Sequence, residues 1–265
     1  MEDQRYAPHL AADYDRGAAQ YRTDDEIEAQ SENHRRLGGK LRQMCQAFSH
    51  PVRVLEIGCG TGRYFHWLPN VELLVGTDLS AEMLRKAAQP LLAHEVTAKE
   101  IRLMHGNIYE MDFPADSFDF IYSLGVFGYG AVWTPELAAK IHRWLAPGGR
   151  VFFNAIALPH SANSVDRLKQ SIKAGIYPRM PRRVREWFDG RQTVPMVPHT
   201  RGRIARIMAD AGFGECEIVT EVCRSPLWNG IHLECSARKN SPVEAVRTNA
   251  TPVRELSTTP EPILG

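Results

Sequence analysis

The 265-residue sequence lacks several features that assign a protein to a class directly. Its five cysteines include no C-x-x-C pair, so we expect neither a disulfide framework nor a thiolate zinc site. No run approaches the roughly 18 apolar residues of a membrane span, and the polar, acidic start MEDQRYAPHL is unlike a secretory signal. The formal net charge of +1 gives no overall attraction to nucleic acid or an acidic membrane. These absences predict a cytoplasmic protein without a membrane partner.

Strands and helices alternate through the middle of the chain, and 43% of all residues are hydrophobic. The alternation predicts βαβ units, and hence an α/β fold with a doubly wound, mostly parallel, seven-stranded sheet. The predicted strands are VRVLEIG, VELLVGTD, IRLMHGN, FDFIYSLG and RVFFNAIA, followed by CEIVTEVCR and IHLECSAR as two closing strands.

Three composition changes divide the sequence. Residues 1–50 are predicted to be helical, with one helix from about Asp24 to Phe48. Residues 51–239 form the main domain, in which the proline clusters of 158–198 indicate a cap insertion after the fifth strand. Residues 240–265 are rich in Ser, Thr and Pro without periodicity, which predicts a disordered tail.

The stretch VLEIGCGTGR ends a predicted strand in three alternating glycines, a pattern that brings the backbone close to a ligand. A dinucleotide and S-adenosylmethionine (SAM) are the two candidates. Arg63 stands where a dinucleotide fingerprint has its third glycine, and the acidic Glu56 suits a cationic ligand such as SAM. Asp78 ends the next strand, where an acid can bind a ribose diol. The alternative is that Asp78 only caps the following helix, a role that Ser80 can fill.

Four motifs together resemble the class I SAM-dependent methyltransferases, in particular those that modify small metabolites. They are LEIGCGTG, VGTDLS with Met83, GNIYEMDFPADSFDFIYS and WLAPGGRVFF, and they span about residues 52–156. YDRGAAQY near the N-terminus is similar to the family's lid segment, so residues 1–50 are expected to form a helical lid and residues 51–239 a SAM-binding domain.

The resemblance implies a set of cofactor contacts. Glu56, Gly58, Gly60 and Gly62 are expected at the methionine end, Asp78 at the ribose, Leu79, Met83, Asn107 and Ile108 around the adenine, and Leu124 nearby. The family commonly has Asp where Asn107 stands, although Asn can still accept a hydrogen bond from the adenine amine. Tyr14 and Tyr21 either close over the sulfonium, which an aromatic face favours, or simply anchor an N-terminal helix.

The methyl acceptor is expected at the carboxyl end of the fourth strand. There Tyr129 and Trp133 form either an aromatic wall with one catalytic hydroxyl or part of the core. His160, after the fifth strand, is the preferred candidate base, with His199, also a candidate substrate contact, and His232 as weaker ones. The insertion is basic around Arg182, which predicts recognition of an acidic acceptor, an RNA-facing surface or a solvated helix face.

Other acceptors are excluded by missing motifs. The fourth strand continues as Ser123-Leu124-Gly125-Val126 instead of the Asn/Asp-Pro-Pro-aromatic sequence of nucleobase amine methyltransferases, and no Pro-Cys dipeptide indicates a cytosine C5 enzyme. The same region offers no acidic metal ligands, so no metal is expected. We therefore expect a methyltransferase for O, N or C atoms of a small molecule. An RNA or protein methyltransferase and a non-catalytic SAM-binding protein are the alternatives, and the oligomeric state stays open.

Overall fold

A computed structural model describes residues 7–157, 181, 196–227 and 229–241. Most of the predicted cap insertion, including His160 and Arg182, and most of the predicted tail lie outside these residues. Among the helices described, none is long and apolar enough to cross a membrane.

The part of the chain that the structure describes forms five α-helices and seven strands. The helices are α1 (Ala7–Glu28), α2 (Glu32–Gln46), α3 (Ala81–Ala87), α4 (Pro135–Trp144) and α5 (Arg201–Asp210). The strands are β1 (Val52–Ile57), β2 (Val71–Asp78), β3 (Glu100–His105), β4 (Phe118–Phe127), β5 (Leu145–Ile156), β6 (Phe213–Arg224) and β7 (Asn229–Lys239).

The seven strands form one sheet in the order β3-β2-β1-β4-β5-β7-β6. The neighbours from β3 to β5 pair in parallel, whereas β7 runs antiparallel to both β5 and β6. The α/β fold and its mainly parallel seven-stranded sheet are therefore as predicted. The order reverses between β1 and β4, and in open α/β sheets such a reversal leaves a crevice at the carboxyl ends of the strands.

Apolar side chains bury both faces of the sheet. One cluster lies against α4 and α5 and includes Trp133, Trp144 and Phe153, while the other lies against α2 and α3 and includes Leu41, Phe65 and Phe120. The strands between these clusters are covered on both sides, which explains why β1 and β4 read as continuous apolar runs.

The N-terminal segment corrects one sequence prediction. The single helix expected from Asp24 to Phe48 is two helices, because Ser31 accepts a hydrogen bond from the His34 N–H and begins α2. The Gly38-Gly39 pair lies inside α2 without ending it. A Cβ at Gly38 would lie 2.2 Å from the Trp67 ring, so this glycine allows α2 to pack closely on the domain.

Three of these helices begin at a side-chain cap. The N-cap residues of α3, α4 and α5 are Ser80, Thr134 and Thr200. The side chain of each accepts a hydrogen bond from a backbone N–H in the first turn of its helix. Ser80 therefore performs the capping function that was the alternative role for Asp78. Between β1 and β2 lies a short 3-10 turn, Phe65–Trp67.

Candidate active site

One cavity of about 190 Å³ opens at the carboxyl ends of β1, β2 and β4 and is covered by α1. All the residues that the sequence assigned to the cofactor line it, with the exception of Gly62: Tyr14, Tyr21, Glu56, Gly58, Gly60, Asp78, Leu79, Met83, Asn107, Ile108 and Leu124. These residues therefore share one cavity, and their contacts with a cofactor stay a prediction.

The glycine loop after β1 forms the floor of the cavity. Gly58 has φ +68°, and a Cβ there would lie 2.3 Å from Val126 on the neighbouring strand β4. Gly60 has φ +53° and open space where its Cβ would be. Backbone in this conformation favours glycine, and the absent Cβ at Gly60 leaves room for a ligand to approach the chain. Gly62 is different, because its missing Cβ makes room for Phe65 instead of the cavity.

Asp78 is held in place at the end of β2 by the backbone on both sides. Its Oδ2 accepts the Gly60 N–H at 2.8 Å and its Oδ1 accepts the Ser80 N–H at 2.9 Å. Burial raises the pKa of this carboxyl, although these hydrogen bonds oppose the shift. Each carboxylate oxygen keeps a further acceptor site, so two vicinal hydroxyls facing Asp78 can both be bound.

Glu56 lies buried at the end of β1, next to the glycine loop, and 2% of it is exposed. The Tyr122 hydroxyl donates to its Oε2 at 2.5 Å. Burial raises the pKa of Glu56 to about 8, although the hydrogen bond from Tyr122 partly opposes this rise. A buried carboxyl of this kind is stabilised in its charged form by a ligand cation beside it.

The other side of the cavity is apolar. Met83, Ile108 and Leu124 are each at least nine-tenths buried and line it together with Leu79. Asn107 also lines it, and its carboxamide accepts the Tyr109 N–H at 3.2 Å, which shapes the turn after β3. A flat apolar group such as a purine fits between such walls.

Helix α1 forms the roof of the cavity. The Tyr14 hydroxyl donates to the Tyr129 carbonyl at 3.2 Å, and the Tyr14 and Tyr21 rings lie 5.9 Å apart. Along α3, Asp15 accepts the Ser80 hydroxyl at 2.5 Å, and Arg22 donates to the Lys86 and Gln89 carbonyls at 2.6 and 2.8 Å. The two helices are therefore joined at both ends of α3, and a ligand in the cavity is covered.

A buried ion pair beside the glycine loop was not expected from the sequence. Asp25 of α1 is 4% exposed, accepts the Thr61 hydroxyl and lies 3.3 Å from the Arg63 guanidinium. Burial raises the pKa of Asp25, while Arg63 and Thr61 oppose the rise. Thr61 and Arg63 belong to the glycine motif, whereas their partner Asp25 lies in α1, 36 residues before Thr61. No local sequence pattern indicates a contact over such a separation.

Tyr129 lies on the far side of the cavity, after β4, and its hydroxyl is 3.4 Å from His232 Nε2. His232 is 7% exposed on β7, and burial lowers its pKa to about 4. It is therefore neutral at pH 7, so one of its ring nitrogens can accept a hydrogen bond. The sequence treated His232 only as a weaker candidate base.

Two predicted substrate contacts lie in the core instead. Trp133 is fully buried, stacks on Phe153 at 3.9 Å between ring centroids and does not line the cavity. His199 is 2% exposed, and its Nε2 accepts the Trp133 N–H at 3.0 Å, so it supports the loop after β4. Both assignments are corrected by these positions. His160 and Arg182 lie outside the described residues, so their assignments remain predictions.

Comparison with known proteins identifies the domain. Residues 54–149 match the family model of a methyltransferase domain. This match identifies residues 54–149 as a methyltransferase domain. Over 102 residues it is 31% identical to phosphoethanolamine N-methyltransferase 3 of Arabidopsis thaliana, which covers 37% of this chain and 20% of the relative. It is 30% identical over 105 residues to demethylmenaquinone methyltransferase of Geobacillus kaustophilus, and this match covers 37% of this chain and 42% of the relative. The chain thus spans less than half the length of these relatives.

The fold of the methyltransferase domain extends beyond the matched segment. A solved structure from Thermotoga maritima, described as a SAM-dependent methyltransferase and possible histamine N-methyltransferase, has a TM-score of 0.54 and 15% sequence identity. It covers 88% of this chain and all of that structure. At this identity the likeness establishes the shared fold.

The residues in the cavity fit SAM on their own chemistry. A buried carboxyl at Glu56 matches an ammonium group, the anchored Asp78 matches a diol, and the open space at Gly60 allows a ligand to approach the backbone. Among the described residues, no three His, Cys, Asp or Glu side chains are arranged to hold a metal ion.

Proposed function

We propose that this protein is an enzyme that transfers a methyl group from SAM to a small-molecule acceptor. The observation that carries the proposal is the shared cavity. It combines the glycine loop, the Asp78 carboxylate anchored by two backbone amides, and a further part lined by Tyr129 and Gly130. When bound, SAM supplies the methyl group and leaves as S-adenosylhomocysteine.

The cofactor end of the cavity is proposed to orient SAM through four groups. Glu56 binds the ammonium group, the Gly58 and Gly60 backbone contacts the amino-acid portion, Asp78 accepts the two ribose hydroxyls, and Met83 packs against the adenine. Two hydrogen bonds to a charged acceptor contribute on the order of 1.5–3 kcal/mol each, so Asp78 is expected to be a major determinant of affinity.

Tyr129 is proposed to position the acceptor. Its hydroxyl can donate to the neutral His232 and still accept a hydrogen bond from an acceptor O–H or N–H in the cavity. Such a contact would align the nucleophilic lone pair with the methyl group. Much of the acceleration then comes from proximity and orientation, for which no strong base is required. His160 stays the proposed base for acceptors that must lose a proton first.

Coverage of the cavity by α1 favours a small acceptor. Leu10, Tyr14, Tyr21 and Asp25 of this helix line the cavity, and its hydrogen bonds to α3 hold it closed. A polynucleotide or folded protein would have to displace α1 to reach the same atoms. The named relatives act on small molecules, phosphoethanolamine and demethylmenaquinone, which is consistent with this proposal.

Labelled methyl transfer tests the proposal. The full chain is incubated with methyl-labelled SAM and a cell extract, and small metabolites, RNA and protein are separated and analysed by mass spectrometry. Label in a small metabolite, lost in the Asp78→Asn variant, is the expected result. Label in RNA or protein would contradict the small-molecule assignment. Bound SAM with no label in any fraction would contradict methyl transfer and favour a non-catalytic binding protein.

A further inference from the structure

Two cysteines lie close together on the edge strand β6 and its neighbour β7. The Cys216 and Cys235 sulfur atoms lie 4.0 Å apart. Ile218 pairs with Cys235, and Cys216 lies two residues before Ile218 along β6. The register of the β6–β7 pair shifts between Gly214 and Glu217, so Cys216 lies in this irregular stretch.

The two thiols differ in accessibility. Cys216 is exposed on the outermost strand, whereas Cys235 is fully buried in the core between β5 and β6. A disulfide has a sulfur separation of about 2.05 Å, so the two sulfur atoms need to approach by about 2 Å for the bond to form. An oxidant in solvent can therefore reach the Cys216 thiol, and the Cys235 thiol lies next to it.

We propose that Cys216 and Cys235 form a reversible disulfide when the protein meets a peroxide. The Cys216 thiolate attacks one peroxide oxygen, the O–O bond breaks, and a sulfenic acid and hydroxide form. The Cys235 sulfur then attacks the Cys216 sulfur, the S–O bond breaks, and the oxygen leaves as water. In sum, two thiols are oxidised to one disulfide while one hydrogen peroxide is reduced to two waters.

The protonation of the pair supports this order of events. The hydrogen bond between the two thiols lowers the pKa of Cys216, so Cys216 is the more readily ionised thiol of the pair. The same bond and burial raise the pKa of Cys235. Burial also raises the pKa of Cys45, to about 12, and those of Cys59 and Cys223. All three of these cysteines are buried, so they serve as internal controls.

Peptide mapping of the unmodified sequence tests the proposal without any variant. The purified full chain is treated with hydrogen peroxide, its remaining thiols are alkylated under denaturing conditions, and its peptides are analysed by mass spectrometry. The expected result is a Cys216–Cys235 cross-link, with the three remaining cysteines found alkylated because they stayed reduced. Treatment with dithiothreitol should restore five alkylated thiols.

Two matched variants test the order of the steps. In Cys235→Ser, Cys216 should accumulate as a sulfenic acid that a 1,3-dione reagent captures, whereas in Cys216→Ser the peroxide should leave Cys235 reduced. The proposal is overturned if wild-type Cys216 stays reduced, if it is oxidised without linking to Cys235, or if Cys45, Cys59 or Cys223 oxidises as fast.

Discussion

The buried Glu56 carboxyl predicts that cofactor binding releases a proton. In the free protein its pKa is raised to about 8, so at pH 6.5 it is almost entirely protonated and neutral. An ammonium group beside it favours the carboxylate, because opposite charges at close range lower the pKa of an acid. Binding then requires ionisation of Glu56, and affinity should rise with pH until the pH reaches about 8.

The expected size follows from the pKa alone. For a group that must lose a proton, the ionised fraction falls about tenfold for each pH unit below its pKa. The amino group of SAM itself has a pKa near ~7.7–8.0 and stays charged below pH 7. Between pH 6 and pH 7 the Kd for SAM should therefore fall about tenfold, and close to one proton should be released per molecule bound at pH 6.5.

Isothermal titration calorimetry measures both quantities. SAM is titrated into the full chain at pH 6, 6.5 and 7, each in two buffers with different heats of ionisation, whose difference gives the number of protons released. Glu56→Gln is the matched control, since its amide oxygen can still accept from Tyr122 without titrating. The reasoning is refuted if wild-type binding releases no proton, or if the variant shows the same release and the same pH dependence.

Three further predictions concern the roof, the acceptor and the packing of α2. Arg22→Ala removes the hydrogen bonds from α1 to the Lys86 and Gln89 carbonyls. Stopped-flow measurements should therefore show faster release of S-adenosylhomocysteine, with little change in the unfolding temperature. An unchanged release rate would contradict the role of α1 as a cover. Tyr129→Phe should lower kcat/KM for methyl transfer by ~10-fold or more, while calorimetry finds the SAM affinity unchanged. Equal kcat/KM values for the variant and the wild type would exclude a contact between the Tyr129 hydroxyl and the acceptor. Gly38→Ala should destabilise the fold by roughly 1–3 kcal/mol in urea unfolding, because its Cβ would enter the Trp67 ring. Gly39→Ala is the control, since no atom lies within 4 Å of its Cβ and alanine is the better helix former by about 1 kcal/mol; equal effects of both would contradict the close packing of α2.

Much of the cofactor half of the site was predictable from the sequence, because it depends on short motifs at strand ends. VLEIGCGTGR brings Glu56 and Gly60 to the end of β1, and Asp78 ends the adjacent parallel strand β2. The carboxyl ends of adjacent parallel strands meet at one edge of the sheet. Ser80 was correctly predicted to be able to cap α3, since capping depends on residues only three positions apart.

Contacts between distant segments were not predictable in the same way. Arg63 was noted only as a departure from a glycine pattern, yet it forms an ion pair with Asp25 of a separate helix. Trp133 was interpreted either as part of an aromatic wall with Tyr129 or as a core residue, and only the fold decides that it lies in the core against Phe153. The break between α1 and α2 was missed because both helices have similar composition and the cap at Ser31 is a single residue.

The central claim is that the cavity beside Asp78 binds SAM, and a direct binding measurement on Asp78→Asn tests it best. The matched control is Asp119→Asn, a buried aspartate that also accepts a backbone N–H, from Arg53 at 2.8 Å, but does not line the cavity. We expect SAM to bind the wild-type chain, to bind Asp78→Asn ~10–100-fold more weakly through the loss of charge-assisted hydrogen bonds, and to bind Asp119→Asn as the wild type does. Absence of binding to the wild type, or equal affinity for wild type and Asp78→Asn, would contradict the account.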